Sequence, residues 1–91
     1  MIELSDTIAR NPDAFSRTIQ DMQIVLQSRT SELHSFNPVA ARVWELIDGT
    51  RTAGEIVDAV VDQYDVDRET ARTDVLELLE RLADKQLVVV A

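Results

Sequence analysis

The spacing of apolar and polar residues changes at Asn37-Pro38. Before that point the chain shows short alternations rich in β-branched residues; after it the apolar positions recur at helical spacing almost to the end. Ile8-Ala9-Arg10 predicts a short strand, stopped by the turn-forming Asn11-Pro12-Asp13. Residues 14–20 carry no decisive pattern, and Ser16 to Ile19 fits strand or loop equally well. The better strand runs over residues 21–27, with Met22, Ile24 and Leu26 on one face and Gln23, Val25 and Gln27 on the other. Ser28 to Ser31 is a polar connection of hairpin length, and Glu32-Leu33-His34-Ser35-Phe36 reads as the return strand.

Three helices follow, over about 38–48, 53–64 and 68–84. Asn37 is a good N-cap, and Pro38 suits the first helical position, where its missing N–H costs nothing. Val39, Val43, Leu46 and Ile47 form an apolar stripe with Ala40 and Trp44 beside it, and Gly49 offers a left-handed stop. Thr52 and Glu55 form a capping box for the second helix, whose apolar residues are Ile56, Val57, Val60, Val61 and Tyr64. Asp67 caps the third, with Ala71, Val75, Leu78, Leu79 and Leu82 towards the core and Leu76 just off that stripe. Leu87 to Val90 either adds a short strand or packs as an apolar cap.

Strands followed by three closely connected helices define an α+β domain of winged-helix type, in which a small antiparallel three-stranded sheet packs on a three-helix bundle. The 91 residues fit one domain, 1–91, with a thin core. There is no cysteine, which excludes disulfides and thiolate metal sites and is compatible with a cytoplasmic location. The N-terminus lacks the basic region and apolar run of a signal peptide, and no stretch reaches the roughly 20 apolar residues of a membrane span.

The net charge of −8 counts against nucleic acid and anionic membrane surfaces as partners. A winged-helix DNA-binding reading requires a basic recognition helix. Residues 67–85 instead carry four basic residues, Arg68, Arg72, Arg81 and Lys85, against six acidic ones, Asp67, Glu69, Asp74, Glu77, Glu80 and Asp84. The acidic series Asp58, Asp62, Asp65, Asp67 lacks the glycine and terminal glutamate of a calcium loop, and its members follow helix and turn logic. His34 is the sole histidine, with no second ligand to form a metal site. No catalytic constellation and no cofactor motif emerge, so the expectation is a binding module and not an enzyme.

The run Asn37-Pro38-Val39-Ala40-Ala41-Arg42-Val43-Trp44-Glu45-Leu46-Ile47-Asp48-Gly49-Thr50-Arg51-Thr52 resembles the signature of the PqqD-like family. Glu55-Ile56-Val57, Tyr64-Asp65-Val66, the segment Asp74 to Leu79, and Leu87 after the last helix extend the resemblance over roughly residues 4–90. It implies a recognition element for ribosomally made, post-translationally modified peptides, of the kind serving pyrroloquinoline quinone, lasso-peptide and radical-enzyme pathways. It further implies that the leader segment of a precursor peptide adds as a strand to the sheet edge beside the third helix and is presented to a modifying enzyme, such as a radical enzyme or peptidase. On this chain the implied edge is Glu32, Leu33, His34, Ser35 and Phe36, and the implied groove wall is Arg72, Val75, Leu76 and Leu79. Each has a plainer reading: Phe36 as core, His34 as a hydrogen-bonded strand residue, Arg72 and Arg81 as solvated charges paired with Glu69, Glu77 or Asp84. A homodimer formed through an exposed strand edge is the structural alternative.

Overall fold

The computed structural model describes all residues from Met1 to Ala91. Its elements, in chain order, are β1 (Ile8–Arg10), β2 (Ala14–Ile19), β3 (Met22–Gln27), β4 (Glu32–Phe36), α1 (Pro38–Leu46), α2 (Ala53–Tyr64), α3 (Arg68–Asp84) and β5 (Val88–Val90). They form an antiparallel three-stranded sheet in the order β2-β3-β4, a separate antiparallel ribbon of β1 with β5, and three helices. No helix is long and apolar enough to cross a membrane.

The helix starts follow from their caps. Asn37 Oδ1 accepts from the Ala40 N–H at 2.8 Å. Thr52 Oγ1 accepts from the Glu55 N–H at 3.2 Å while Glu55 Oε1 accepts from the Thr52 N–H at 2.9 Å, closing the capping box. Asp67 Oδ2 accepts from the Thr70 N–H at 3.2 Å. Each bond satisfies an N–H that the first helical turn leaves without a partner. The end of α1 differs from expectation: the helix stops at Leu46, with Ile47 extended, and Gly49 takes its positive φ of 85° two residues further on. Asp48 causes this. Its Oδ1 accepts from the backbone N–H groups of Thr50 and Arg51, so an Asx-type turn replaces the last helical turn. The same bonds hold the Asp48 carboxyl down at a pKa of about 2, the Thr50 N–H being the largest cause.

Two features of the strands are left open by the residue pattern and settled by the structure. Residues 14–19 are a full strand, so the sheet consists of β2, β3 and β4, while Ile8–Arg10 pairs with the C-terminal tail. The β2–β3 hairpin turns at Gln20 and Asp21, whose φ values of 51° and 67° are those of a two-residue primed turn built without glycine. The sheet also carries most of its large apolar side chains on its outer side. Val25 and Gln27 face the core, fully buried, and the Met22, Ile24 and Leu26 side faces away from the helices. Gln27 is accommodated because its Nε2 donates to the Gln86 carbonyl at 2.7 Å and its Oε1 accepts from the Arg29 N–H at 2.7 Å.

The core sits between the inner sheet face and the three helices. Trp44, Ile8, Ile47, Ile56, Leu79, Leu87, Val25 and Val43 are its fully buried apolar side chains. Phe36 meets Trp44 edge to face at 5.8 Å between centroids. On Trp44 lies the Arg10 guanidinium, 4.5 Å from the ring centroid, donating to the Trp44 carbonyl at 2.8 Å. Burial lowers the Arg10 pKa, opposed by the charge of Glu45.

Candidate functional site: the open edge of the sheet beside the third helix

β4 pairs with β3 along one side only, and no element of the chain pairs with its other side. The ladder phase follows from the neighbouring bonds. The Ser28 N–H bonds to Asp13 towards β2, so the backbone groups of the odd-numbered β3 residues point to β4. Their partners are Glu32, His34 and Phe36, opposite Gln27, Val25 and Gln23. The N–H and C=O groups of Leu33 and Ser35 therefore point out from the free edge, two donors and two acceptors at the spacing that an added strand matches.

Beside this edge runs a groove of about 440 Å³ whose far wall is the C-terminal half of α3. Leu33, His34, Ser35, Phe36 and Asn37 line one side; Leu78, Arg81, Leu82 and Lys85 line the other, with Ala40 and Leu87 at the floor. The floor is apolar: Leu82, Leu87 and Ala40 are buried and Phe36 and Leu78 are half-buried. The rim is cationic. Arg81 has no ion-pair partner, and Lys85 has Glu32 at 4.0 Å, both side chains about half exposed. His34 turns its ring inward, and its buried Nε2 has no hydrogen-bond partner within the protein.

Of the nine residues implied by the resemblance, four of the edge strand, Leu33, His34, Ser35 and Phe36, line this groove, and Glu32 reaches its rim only through Lys85. The four on α3 do not. Val75 and Leu79 are core side chains, 3% and 0% exposed. Arg72 lies on the opposite flank of the helix, in a polar cleft with Leu4, Thr52, Glu55 and Arg68. Leu76 shares that ridge with Arg72 and with Glu80, which accepts from the Ile2 N–H. The difference is one of helical phase: the α3 face that lines this groove is Leu78-Arg81-Leu82-Lys85, some 100° or more around the helix and nearer its C-terminus. The sequence signal for it was Leu78, an apolar residue at the margin of the stripe, followed at i+3 and i+7 by two cations. Asp58 and Asp67, from the acidic series, pair with Arg68 and cap α3, respectively.

A sheet edge with two outward backbone pairs, an apolar floor and a helix as opposite wall defines a small α+β domain shaped to accept an extended segment. The family model of PqqD, described as Coenzyme PQQ synthesis protein D, matches residues 23–88. The chain belongs to the PqqD family. TbiB1, solved in complex with the TbiA(beta) leader peptide, is 31% identical and superposes with a TM-score of 0.82 over 88% of this chain and 93% of that one. The PqqD truncation of Methylobacterium extorquens PqqCD, a stand-alone recognition element for ribosomally synthesized and post-translationally modified peptides, shares the fold with a TM-score of 0.81 at 22% identity, over 98% of this chain and 95% of that one. The PqqA binding protein of Rhodopseudomonas palustris (strain BisB5) is 38% identical over 47 residues, 52% of this chain and 46% of that protein. The chain thus matches just under half the length of this curated relative.

Proposed function

We propose that this chain binds the leader segment of a ribosomally made precursor peptide by strand addition to β4 and presents it to a modifying enzyme. The observation that carries the reading is the outward-pointing backbone of Leu33 and Ser35 beside an apolar, cation-rimmed groove. Backbone pairing at residues 32–36 supplies affinity that does not depend on leader sequence, and the groove supplies selectivity. Alternate leader side chains enter it, apolar ones over Phe36, Leu78 and Leu82 and an acidic one towards Arg81 and Lys85. Glu32, Leu33, His34, Ser35 and Phe36 contribute as the receiving strand; on α3 the contacts shift from Arg72, Val75, Leu76 and Leu79 to Leu78, Arg81, Leu82 and Lys85. The reading is supported by family membership and by the leader complex of the related TbiB1. The protein acts here as a binding partner in trans, with catalysis residing in the enzyme it serves. DNA binding is not favoured, because the acidic residues outnumber the basic ones along α3.

The test is titration of a synthetic leader, from the precursor gene nearest to this one, into isotope-labelled protein. Saturable NMR shifts at residues 32–36 and 78–85, with new protection of the Leu33 and Ser35 amides from hydrogen exchange, are expected. A folded spectrum with no shifts at either element at micromolar to millimolar peptide overturns the reading.

A further inference from the structure

The groove beside β4 has a neighbour. Leu78, on the groove's far wall, also lines a second pocket of about 310 Å³ between α1, α2 and α3. Leu78 and the first turn of α1 stand between the two: Ala40 is on the groove floor, and the preceding residue, Val39, is on the pocket rim. The pocket floor belongs to the core, with Val43, Val60, Ala71 and Val75 at most 4% exposed, while Val39 and Val66 at its mouth are 44% and 38% exposed. An apolar hollow of this size with exposed apolar lips has the form of a site for one large apolar side chain. Its polar boundary is acidic. Asp74 lines the pocket and, with Thr70, also borders a polar cleft that adds Asp67 and Glu69. None of these three carboxylates has a cation within ion-pair distance. α3 thus presents opposite signs along its length, carboxylates by this pocket and Arg81 and Lys85 at the leader groove.

We propose, resting on the leader binding put forward above, that this pocket is a second subsite for the same peptide: it takes a large apolar leader residue flanked by a lysine or arginine that meets Asp74. β4 and α3 run in opposite directions, since Lys85 meets Glu32 at one end while Leu78 shares a pocket with Val39, just beyond Phe36, at the other. A strand added along β4 therefore leaves the groove past Phe36, towards the pocket. The gap is short. From Leu78 back to Ala71 the helix rises roughly 10 Å, which an extended peptide covers in about three residues. Antiparallel addition is the pairing this sheet uses throughout and the more stable one per residue. It brings the leader residues on the N-terminal side of the paired segment to this pocket. Charge favours such a flank over a second copy of the chain, whose net charge of −8 is repelled by the acidic rim. Two apolar subsites of opposite charge, joined by one strand, also fix the direction and register of the peptide, which backbone pairing alone leaves free. A reversed or slipped leader brings its cation to Arg81 and Lys85.

The test uses the full chain, the synthetic leader of the precursor gene nearest to this one, and the same peptide trimmed from its N-terminus to the residues that cross-strand NOEs place opposite Leu33 and Ser35. The intact leader should shift the resonances of Tyr64, Val66 and Ala71 together with those of residues 32–36. The trimmed leader should shift only residues 32–36 and bind about tenfold more weakly, having lost one buried apolar side chain and its cation. Asp74→Lys should weaken the intact leader about fivefold and the trimmed one less than about twofold. Asp62→Lys, the same charge change on α2 outside the pocket, is the control and should leave both within about twofold. Groove shifts alone, with the trimmed peptide and Asp74→Lys both matching intact wild-type binding, overturn the second subsite and leave leader recognition standing. Pocket shifts without groove shifts overturn the claim that one peptide spans both sites. A folded spectrum with no shifts at all removes the leader reading and the second subsite with it. A dimer in light scattering that Val66→Gln dissolves assigns the pocket to a second copy of the chain and overturns the proposal.

Discussion

The Nζ of Lys85, one residue past the end of α3, lies 4.0 Å from Oε2 of Glu32, the first residue of β4. The pair spans the mouth of the groove between the two elements. Both side chains are about half exposed, and an ion pair of that kind contributes at most about 1 kcal/mol. It is therefore easily exchanged for an acidic side chain of an incoming peptide. Glu32→Gln should change stability by less than about 0.5 kcal/mol in urea unfolding and raise affinity for an acidic leader two- to threefold by freeing Lys85. A fall in affinity would show that Glu32 itself contacts the peptide.

The backbone of the edge strand can be tested without disturbing its pairing to β3. The Ser35 N–H points away from β3, so Ser35→Pro removes a donor to the added strand and leaves the internal ladder bonds in place. Leader affinity should drop at least tenfold, with a stability loss of about 1 kcal/mol or less. His34→Pro removes a ladder N–H opposite Val25 and should instead destabilise the fold severely. Calorimetric titration with thermal melts of both variants separates the two effects.

Helical phase around α3 makes a paired prediction. Arg81 rims the groove and Arg72 lies in the cleft on the opposite flank. Arg81→Glu should weaken an acidic leader about tenfold and abolish most of the salt dependence of binding, while Arg72→Glu leaves both within twofold. Equal effects of the two variants would mean that charge steering by the whole domain, and not the groove, governs association.

Much of this architecture was legible because helix signals are local. Asn37-Pro38, Thr52 with Glu55, and Asp67 each announce a helix start through chemistry confined to one turn, and all three caps are present. Strand signals depend on what lies across the sheet. β2 was obscure because Phe15, Arg17 and Ile19 alternate with small polar residues on a sheet whose apolar side turns outward, and because its hairpin bends at Gln20-Asp21 without a glycine. The strand edge at 32–36 was readable from length and the preceding turn. The α3 side of the groove was not, since Val75 and Leu79 have the apolar character a groove wall needs but lie where the helix meets its own core. Which of two apolar ridges faces β4 is set by the tertiary crossing of helix and sheet, which the spacing of one helix does not contain.

Acid titration of the Asp48 turn provides the last prediction. The Asp48 carboxylate accepts the N–H groups of Thr50 and Arg51 and the Thr50 hydroxyl, and its Oδ2 lies 2.9 Å from Arg51 Nη1. These bonds favour the ionised form and hold its pKa at about 2, below the ordinary value of 3.8. A carboxyl whose pKa is depressed on folding stabilises the native state above its unfolded pKa, and that contribution fades as the pH falls through the native one. The wild type should therefore be more stable than Asp48→Ala at neutral pH, by an amount constant down to about pH 4. Between about pH 4 and pH 2 the part of that advantage due to ionisation should disappear, leaving the turn's neutral hydrogen bonds. Thermal melts of both proteins across that range measure it. A difference that stays flat from pH 7 to pH 2 would mean that Asp48 shapes the end of α1 through geometry alone, its charge contributing nothing.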